Sequence, residues 1–303
     1  MRILFCLLFV IVSTSVSAQK WKRKKIGHTE FGFFRGFSTY YGDLANKGDF
    51  INLKDKGDAL GAFVRMNTNN WHALRFSFMT GRISGSDADA KDPYELRRNL
   101  SFKNDIREFS VISEVSLMEY DMCYSSALYA PYVFLGFALY LHNPVAELNG
   151  QDYDLVGLRT EGQNTFPYNG PPSYERWDDG GTGGYRGEYY LTQISIPIGV
   201  GFKYRFYRNS TIAFELGIRK TWFDYLDDVS KSYISNPIGR DGNTMSSEFA
   251  DRSAEGQEFA EGDLRGTKKG SDYYTFLGIT LSFSSVKCGS KNPIKCFSFN
   301  KWS

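Results

Sequence analysis

Histidine is scarce in this chain. Its three copies, His28, His72 and His142, lie far apart among 303 residues, and no Ser/His/Asp or His/carboxylate constellation converges on them. Catalysis is therefore not expected. Long apolar runs are missing as well: beyond the first twenty residues none reaches 18, and the longest, Tyr132–Leu141, has ten. A membrane-spanning helix is excluded on length. Nor is there an excess of one charge, since the formal net charge is +2, which argues against a general nucleic-acid partner. No cofactor motif emerges either, so none is expected.

What the chain has in plenty is aromatic side chains, 17% of residues against 23% charged, an unusual ratio for a soluble globule. The N-terminus, "MRILFCLLFVIVSTSVSAQK", reads as a secretory signal peptide over residues 1–18, cut after Ala18. Cys6 sits inside its apolar run rather than just after a cleavage site, so a lipoprotein anchor is not expected. Residues 19–28 then form a basic segment, with Lys20, Lys22, Arg23, Lys24 and Lys25 packed into six positions. Residues 285–303 are basic too, with Lys287, Lys291 and Lys295 and no acid, whereas residues 241–265 hold seven acids against two arginines.

The body of the chain, 29–284, alternates. In "YLTQISIPIGVGFKYRF", Ile194, Ile196, Ile198, Val200, Phe202, Tyr204 and Phe206 take one face and Gln193, Ser195, Lys203 and Arg205 the other. A period of two is a strand with one apolar face. The same pattern recurs over 59–66, 71–83, 106–118, 131–141, 211–222 and 273–283, and an aromatic-rich segment over 30–43 makes eight strands. Arg35 falls on the apolar face of the first, and Pro197 inside the sixth, so a bulge is expected at each. Connections alternate between short ("NTNN", "YDMCYSSALYA", "YRNS") and long (42–58, 84–105, 142–189, 223–272). The pattern implies an all-β, eight-stranded antiparallel up-and-down transmembrane barrel, with short turns at one end and long extracellular loops at the other. Outer-membrane lipids are its first expected partner. A soluble periplasmic barrel is the structural alternative.

The polar faces predict a lumen filled by an ion network of Arg75, Glu114, Lys203, Arg205, Glu215 and Arg219, too narrow for a wide pore. His28 and His72 fall near the periplasmic rim and His142 near the outer one. Gly199-Val200-Gly201 looks like part of a nucleotide loop but lies within a strand, where glycine makes room in the lumen. Asp224, Asp227 and Asp228 in "TWFDYLDDVSKSY" fall where the seventh strand enters its loop. Calcium could use such oxygens, but a solvated loop root with Asp capping the turn is expected. Cys123, Cys288 and Cys296 all face an oxidising periplasm on this topology. Three is odd, so either Cys288 and Cys296 pair while Cys123 stays idle, or one cysteine bridges to another protein. The basic ends are either a fringe near lipid headgroups or a dock for a periplasmic partner.

"GFFRGFSTYYGDL", "WHALRFSFMTGRISGSDAD", "LHNPVAELNG" with "TEGQ", "ISIPIGVGFKY", "RKTWFDYLDDVSKSY" and the cysteine-bearing tail together resemble the PorG-like outer-membrane barrels of the Bacteroidetes type IX secretion system. The resemblance spans nearly the whole mature chain, and "TEGQ" and "DYLDDVS" are its specific parts. It implies a non-enzymatic component that sits beside the large periplasmic ring of that machine and contacts the ring's lipoprotein. By position, "DYLDDVS" maps to Asp224–Ser230 and the tail cysteine to Cys296; the resemblance leads to proline next, where this chain has Phe297. The alternative is a free-standing small barrel that binds ligands or adheres to surfaces through its loops.

Overall fold

The computed structural model describes residues 28–45, 54–120, 127–163, 189–207, 209–234, 245–267 and 271–284, with 237, 239 and 242 singly. The signal peptide, the basic segment with Lys20, Lys22, Arg23, Lys24 and Lys25, the tail with Lys287, Lys291 and Lys295, and the three mature cysteines, Cys123, Cys288 and Cys296, lie outside the described residues.

Eight long strands close on themselves: β1 (His28–Tyr41), β2 (Lys56–Asn67), β3 (His72–Ser86), β4 (Ser101–Ser116), β5 (Tyr129–Leu141), β8 (Thr192–Tyr207), β9 (Ser210–Thr221) and β10 (Tyr273–Ser284). Each pairs antiparallel with its sequence neighbour, and β1 pairs with β10 from Glu30↔Ser284 to Tyr41↔Tyr273. Every backbone ladder thus finds a partner, which a lipid environment demands. A small hairpin, β6 (Pro144–Leu148) and β7 (Gln151–Asp154), continues the sheet above β4, and short helices α1 (Pro93–Arg98), α2 (Leu155–Leu158) and α3 (Ser246–Ala250) lie in the long loops.

The register fixes the tilt. Stepping across the ladders from Gly81 leads through Ala59, Gly36, Gly278, Glu215, Gly201, Tyr132 and Ser116. The Ser116 N–H then bonds to the Trp71 carbonyl, ten residues below the starting point on the same strand. A shear of about ten over eight strands corresponds to a tilt of roughly 40°. Both chain ends of the barrel, His28 and Ser284, lie at the end of the short turns.

Alternation turns the barrel inside out relative to a soluble protein. Phe31, Phe33, Phe109, Phe137, Ile194, Phe202 and Phe214 face outward, Phe137 being 72% exposed, while Arg65, Glu108 and Glu114 are at most 1% exposed inside. An apolar wall of this kind has its natural solvent in bilayer hydrocarbon, and it makes the fold that of a transmembrane barrel. Three sequence expectations are corrected here. β1 runs in unbroken register past Arg35, which points outward and reaches Asp58 on β2 at 3.3 Å, so no bulge is present there. Pro197 introduces no bulge: it pairs with Arg219 on β9, and on the β5 side the ladder skips Ile196 and Pro197 but resumes in the same register, while register shifts sit at Lys56/Ala59 and Arg205/Tyr207. Strands β2, β3 and β4 extend past the expected limits at the long-loop end, because Lys56, Asp58, Ser84, Lys103 and Asp105 are polar and outward-facing there and give no hydrophobic signal.

Candidate functional site

Two buried polar assemblies stand out: one fills the lumen and one caps it. The lumen assembly takes one side chain from every strand. Glu114 on β4 is held by Lys203 of β8 at 2.7 Å, Arg65 of β2 at 3.0 Å and Arg75 of β3 at 3.1 Å. Arg65 also reaches Glu30 of β1 at 2.8 Å, which accepts from Ser282 of β10 at 2.9 Å. Arg75 pairs with Glu215 of β9, which accepts from the Tyr132 hydroxyl of β5. Three cations thus meet three carboxylates, and aromatic faces cover the cations: Tyr132 lies 4.3 Å from Lys203 Nζ, and Phe63 4.8 Å from the Arg65 guanidinium. Above the network lies a layer of buried aromatic rings, with Phe34 packed edge-on against Phe276 at 6.3 Å and Phe63 and Phe134 covering the Arg75 guanidinium at 5.4 and 5.3 Å. Beyond it a second pair forms, Arg219 to Glu108 at 3.1 Å, with Tyr274 donating to Glu108 at 2.8 Å.

Between the two layers lies a void of about 10 Å³ lined by Phe34, Phe63, Arg75, Glu215, Arg219 and Phe276, room for no more than one water. Inward glycines make this filling possible: a Cβ on Gly201 would lie 2.3 Å from the Tyr132 ring, and one on Gly199 2.4 Å from Phe134. Of the six residues expected in the lumen, Arg75, Glu114, Lys203 and Glu215 come together in one network. Arg219 belongs to the upper pair, and Arg205 is buried near the short-turn end, where its N–H bonds to the Leu128 carbonyl at 2.7 Å. Glu30, Arg65 and Glu108 were missed, although the same alternation points them inward.

The cap is built from the loop-root aspartates, and here the solvated expectation fails: Asp227 and Asp228 are 1% and 0% exposed. Asp227 accepts from the Tyr40 hydroxyl at 2.6 Å and the Val229 N–H at 2.9 Å. Asp272 shares the Tyr40 hydroxyl at 3.2 Å and accepts from the Leu226 N–H at 2.9 Å. Asp228, in the left-handed region at φ 64°, accepts from Tyr189 at 2.7 Å and from Thr160. Asp224 accepts from the Ser230 hydroxyl at 2.8 Å. Glu161, marked by the sequence only as part of "TEGQ" and given no role there, ties the turn together by accepting from the Ser230 and Lys231 N–H groups at 2.9 and 3.1 Å and from Tyr225 at 3.1 Å, with Arg265 at 3.4 Å. "TEGQ" and "DYLDDVS" are therefore two halves of one interlocked turn.

Burial dominates the electrostatics of this cap. It pushes Asp224 up to about 7, and Asp228 up to about 6 although Arg265 pulls the other way. Asp227 and Asp272 are pushed well above the carboxylate range by burial first, then by Asp43 acting on Asp227 and by Asp227 acting on Asp272. Burial lowers His142 to about 4, a neutral ring packed between Tyr189 and Phe223 at 6.0 and 5.0 Å. Among the described residues, no group of three or more His, Cys, Asp or Glu side chains is arranged to hold a metal ion.

In fold the chain is similar to Ail, the attachment invasion locus protein of Yersinia pestis, at 10% identity and a TM-score of 0.37 over 85% of this chain and 98% of that one. It is also similar to the Neisserial surface protein A, at 10% and 0.35 over 85% and 96%, and to OprG of Pseudomonas aeruginosa, at 9% and 0.38 over 86% and 97%. No curated protein matches the sequence. Residues 1–165 match a family model described as Domain of unknown function (DUF6089).

Proposed function

The chain belongs to the DUF6089 family, and from that premise we propose that it is a non-enzymatic barrel of the bacterial outer membrane that anchors a protein-secretion machine of the type IX kind. Its termini and short turns face the periplasm and position a ring lipoprotein there. The observation that carries this reading is the filled lumen: with eight strands interlocked by ions and buried polar turns over the far end, the described residues leave no path for cargo through the barrel, which supports a use in what its ends present. The sequence resemblance supplies the partner. The chain leaves the barrel at both ends on the short-turn side, where the basic segment around Lys20–Lys25 and the tail with Cys288 and Cys296 continue from it.

Deleting the chain from Ser285 onward, or the pair Cys288→Ser and Cys296→Ser, is expected to abolish co-purification with the ring lipoprotein from detergent-solubilised membranes. Undiminished co-purification overturns the docking reading. If Cys123, Cys288 or Cys296 bridges to the partner, a heavier band appears on non-reducing gels and vanishes on reduction. A free-standing adhesin predicts the reverse phenotype: shortening the loops would abolish surface binding and leave secretion intact.

A further inference from the structure

Arg35 stands where a lipid-facing barrel has least use for a charge. It lies seven residues from His28 and six from Tyr41 on β1, flanked outward by Phe33 and Phe37 and paired across the ladders with Leu60 and Ile279. At about 3.3 Å per residue and a tilt near 40°, it sits roughly 15 Å below Tyr41, which stacks on Tyr273 at the rim. The other outward charges, Lys56, Asp58, Arg82, Lys103, Asp105 and Lys220, lie within four residues of their strands' long-loop ends, and Arg107 is opposite Leu141, the last residue of β5. Arg35 reaches up to Asp58 at 3.3 Å, yet the two side chains remain 64% and 72% exposed. An ion pair facing hydrocarbon with one contact leaves most of the guanidinium donors unmet, a costly arrangement that marks a functional contact.

The wall around it is as apolar as the rest of the barrel: Phe33 and Phe37 flank it on β1 and Leu60 and Ile279 face it across the ladders, each 40% exposed or more. A partner on this face meets one pair of opposite charges set in an apolar surface.

We propose that this face of β1 and β2 is an intramembrane interface with a second copy of the same chain. Two copies inserted in the same direction can be related only by a two-fold axis along the membrane normal. An axis passing between the charged ends of Arg35 and Asp58, which meet diagonally across the β1–β2 ladder with Asp58 opposite Phe37, sets Arg35 of each copy against Asp58 of the other. Two half-satisfied pairs become one ring of four alternating charges, shielded from lipid.

The test uses the full chain in liposomes, with copies labelled for energy transfer and folding checked by heat-modifiable gel mobility. Wild-type copies are expected to associate. Arg35→Asp alone and Asp58→Arg alone are each expected to weaken self-association at least tenfold by like-charge repulsion. Mixing the two variants is expected to restore transfer between them, because one copy then carries two acids and the other two cations. A purely intramolecular role for the pair predicts no rescue on mixing, and that result overturns the proposal. Wild-type copies that stay apart overturn it too, and if Arg35→Asp then loses co-purifying phosphate-bearing lipid, the occupant is a headgroup.

Discussion

Replacing Glu114 by alanine tests the lumen most directly. Glu114 is 1% exposed and contacts all three cations of the network, Lys203, Arg65 and Arg75, at 2.7 to 3.1 Å. Glu30 and Glu215 keep one close cation each, so removing Glu114 leaves a buried charge excess of one and strips Lys203 of its only ion pair among the described residues. Breaking a buried pair by removing one partner costs about 3–5 kcal/mol. Glu114→Gln keeps the shape and part of the hydrogen bonding and is expected to cost about half as much. The assay is urea unfolding in detergent, followed by the gel mobility of the folded barrel and by tryptophan emission, with Lys103→Ala as the control. Lys103 pairs with Glu147 at 2.7 Å but both are about half exposed, so its loss should cost about 0–1 kcal/mol. A Glu114→Ala loss no larger than that control refutes the view that the network holds the eight strands in register.

The cap should tighten in acid. Asp224 and Asp228 have folded values raised to about 7 and about 6, so the stability they confer is complete below their unfolded value of about 3.9 and is lost as pH rises through 6 and 7; the protection of amides over residues 223–233, after division by the intrinsic exchange rate at each pH, should be greater at pH 5 than at pH 8, and equal protection would refute this. Glu161→Ala removes the acceptor of the Ser230 and Lys231 N–H groups, at about 1–3 kcal/mol for each buried donor left unmet, so the long loops should become protease-sensitive while the urea midpoint of the barrel stays put. Gly201→Ala forces a methyl to within 2.3 Å of the Tyr132 ring, and a loss of about 1–3 kcal/mol is expected by the same urea assay.

The barrel was legible because lipid and lumen impose opposite chemistry on alternate residues. β5, with Val133, Leu135, Phe137, Leu139 and Leu141 outward, shows this over its whole length. Where the wall rises beyond the apolar band the signal fades, and the ends of β2, β3 and β4 escaped for that reason. The β6–β7 hairpin carried a signal that went unused: Asn149-Gly150 have φ of 53° and 81°, the backbone a tight two-residue hairpin requires. The cap was not legible in principle. Tyr40, Glu161, Asp228 and Asp272 lie in four separate segments, and nothing local in "DYLDDVS" announces that a tyrosine hydroxyl from β1 and a glutamate from another loop will bury its carboxylates. In the lumen, alternation told which residues point inward, but which acid meets which cation depends on the shear.

The seam between the first and last strands carries a further meaning. Glu30 and Ser282 touch across 252 residues of chain, so the lumen network stays incomplete until the final strand has been delivered. Gly36 faces Gly278 at that seam, and a Cβ on Gly36 would meet the Leu277 carbonyl at 2.1 Å. If the last strand docked two residues out of step, it would bring Phe276 or Thr280 opposite Gly36 and separate Ser282 from Glu30. The closing seam is therefore selective: of the alignments open to the last strand, the native one alone both seats Gly278 against Gly36 and completes the ionic lattice at Glu30.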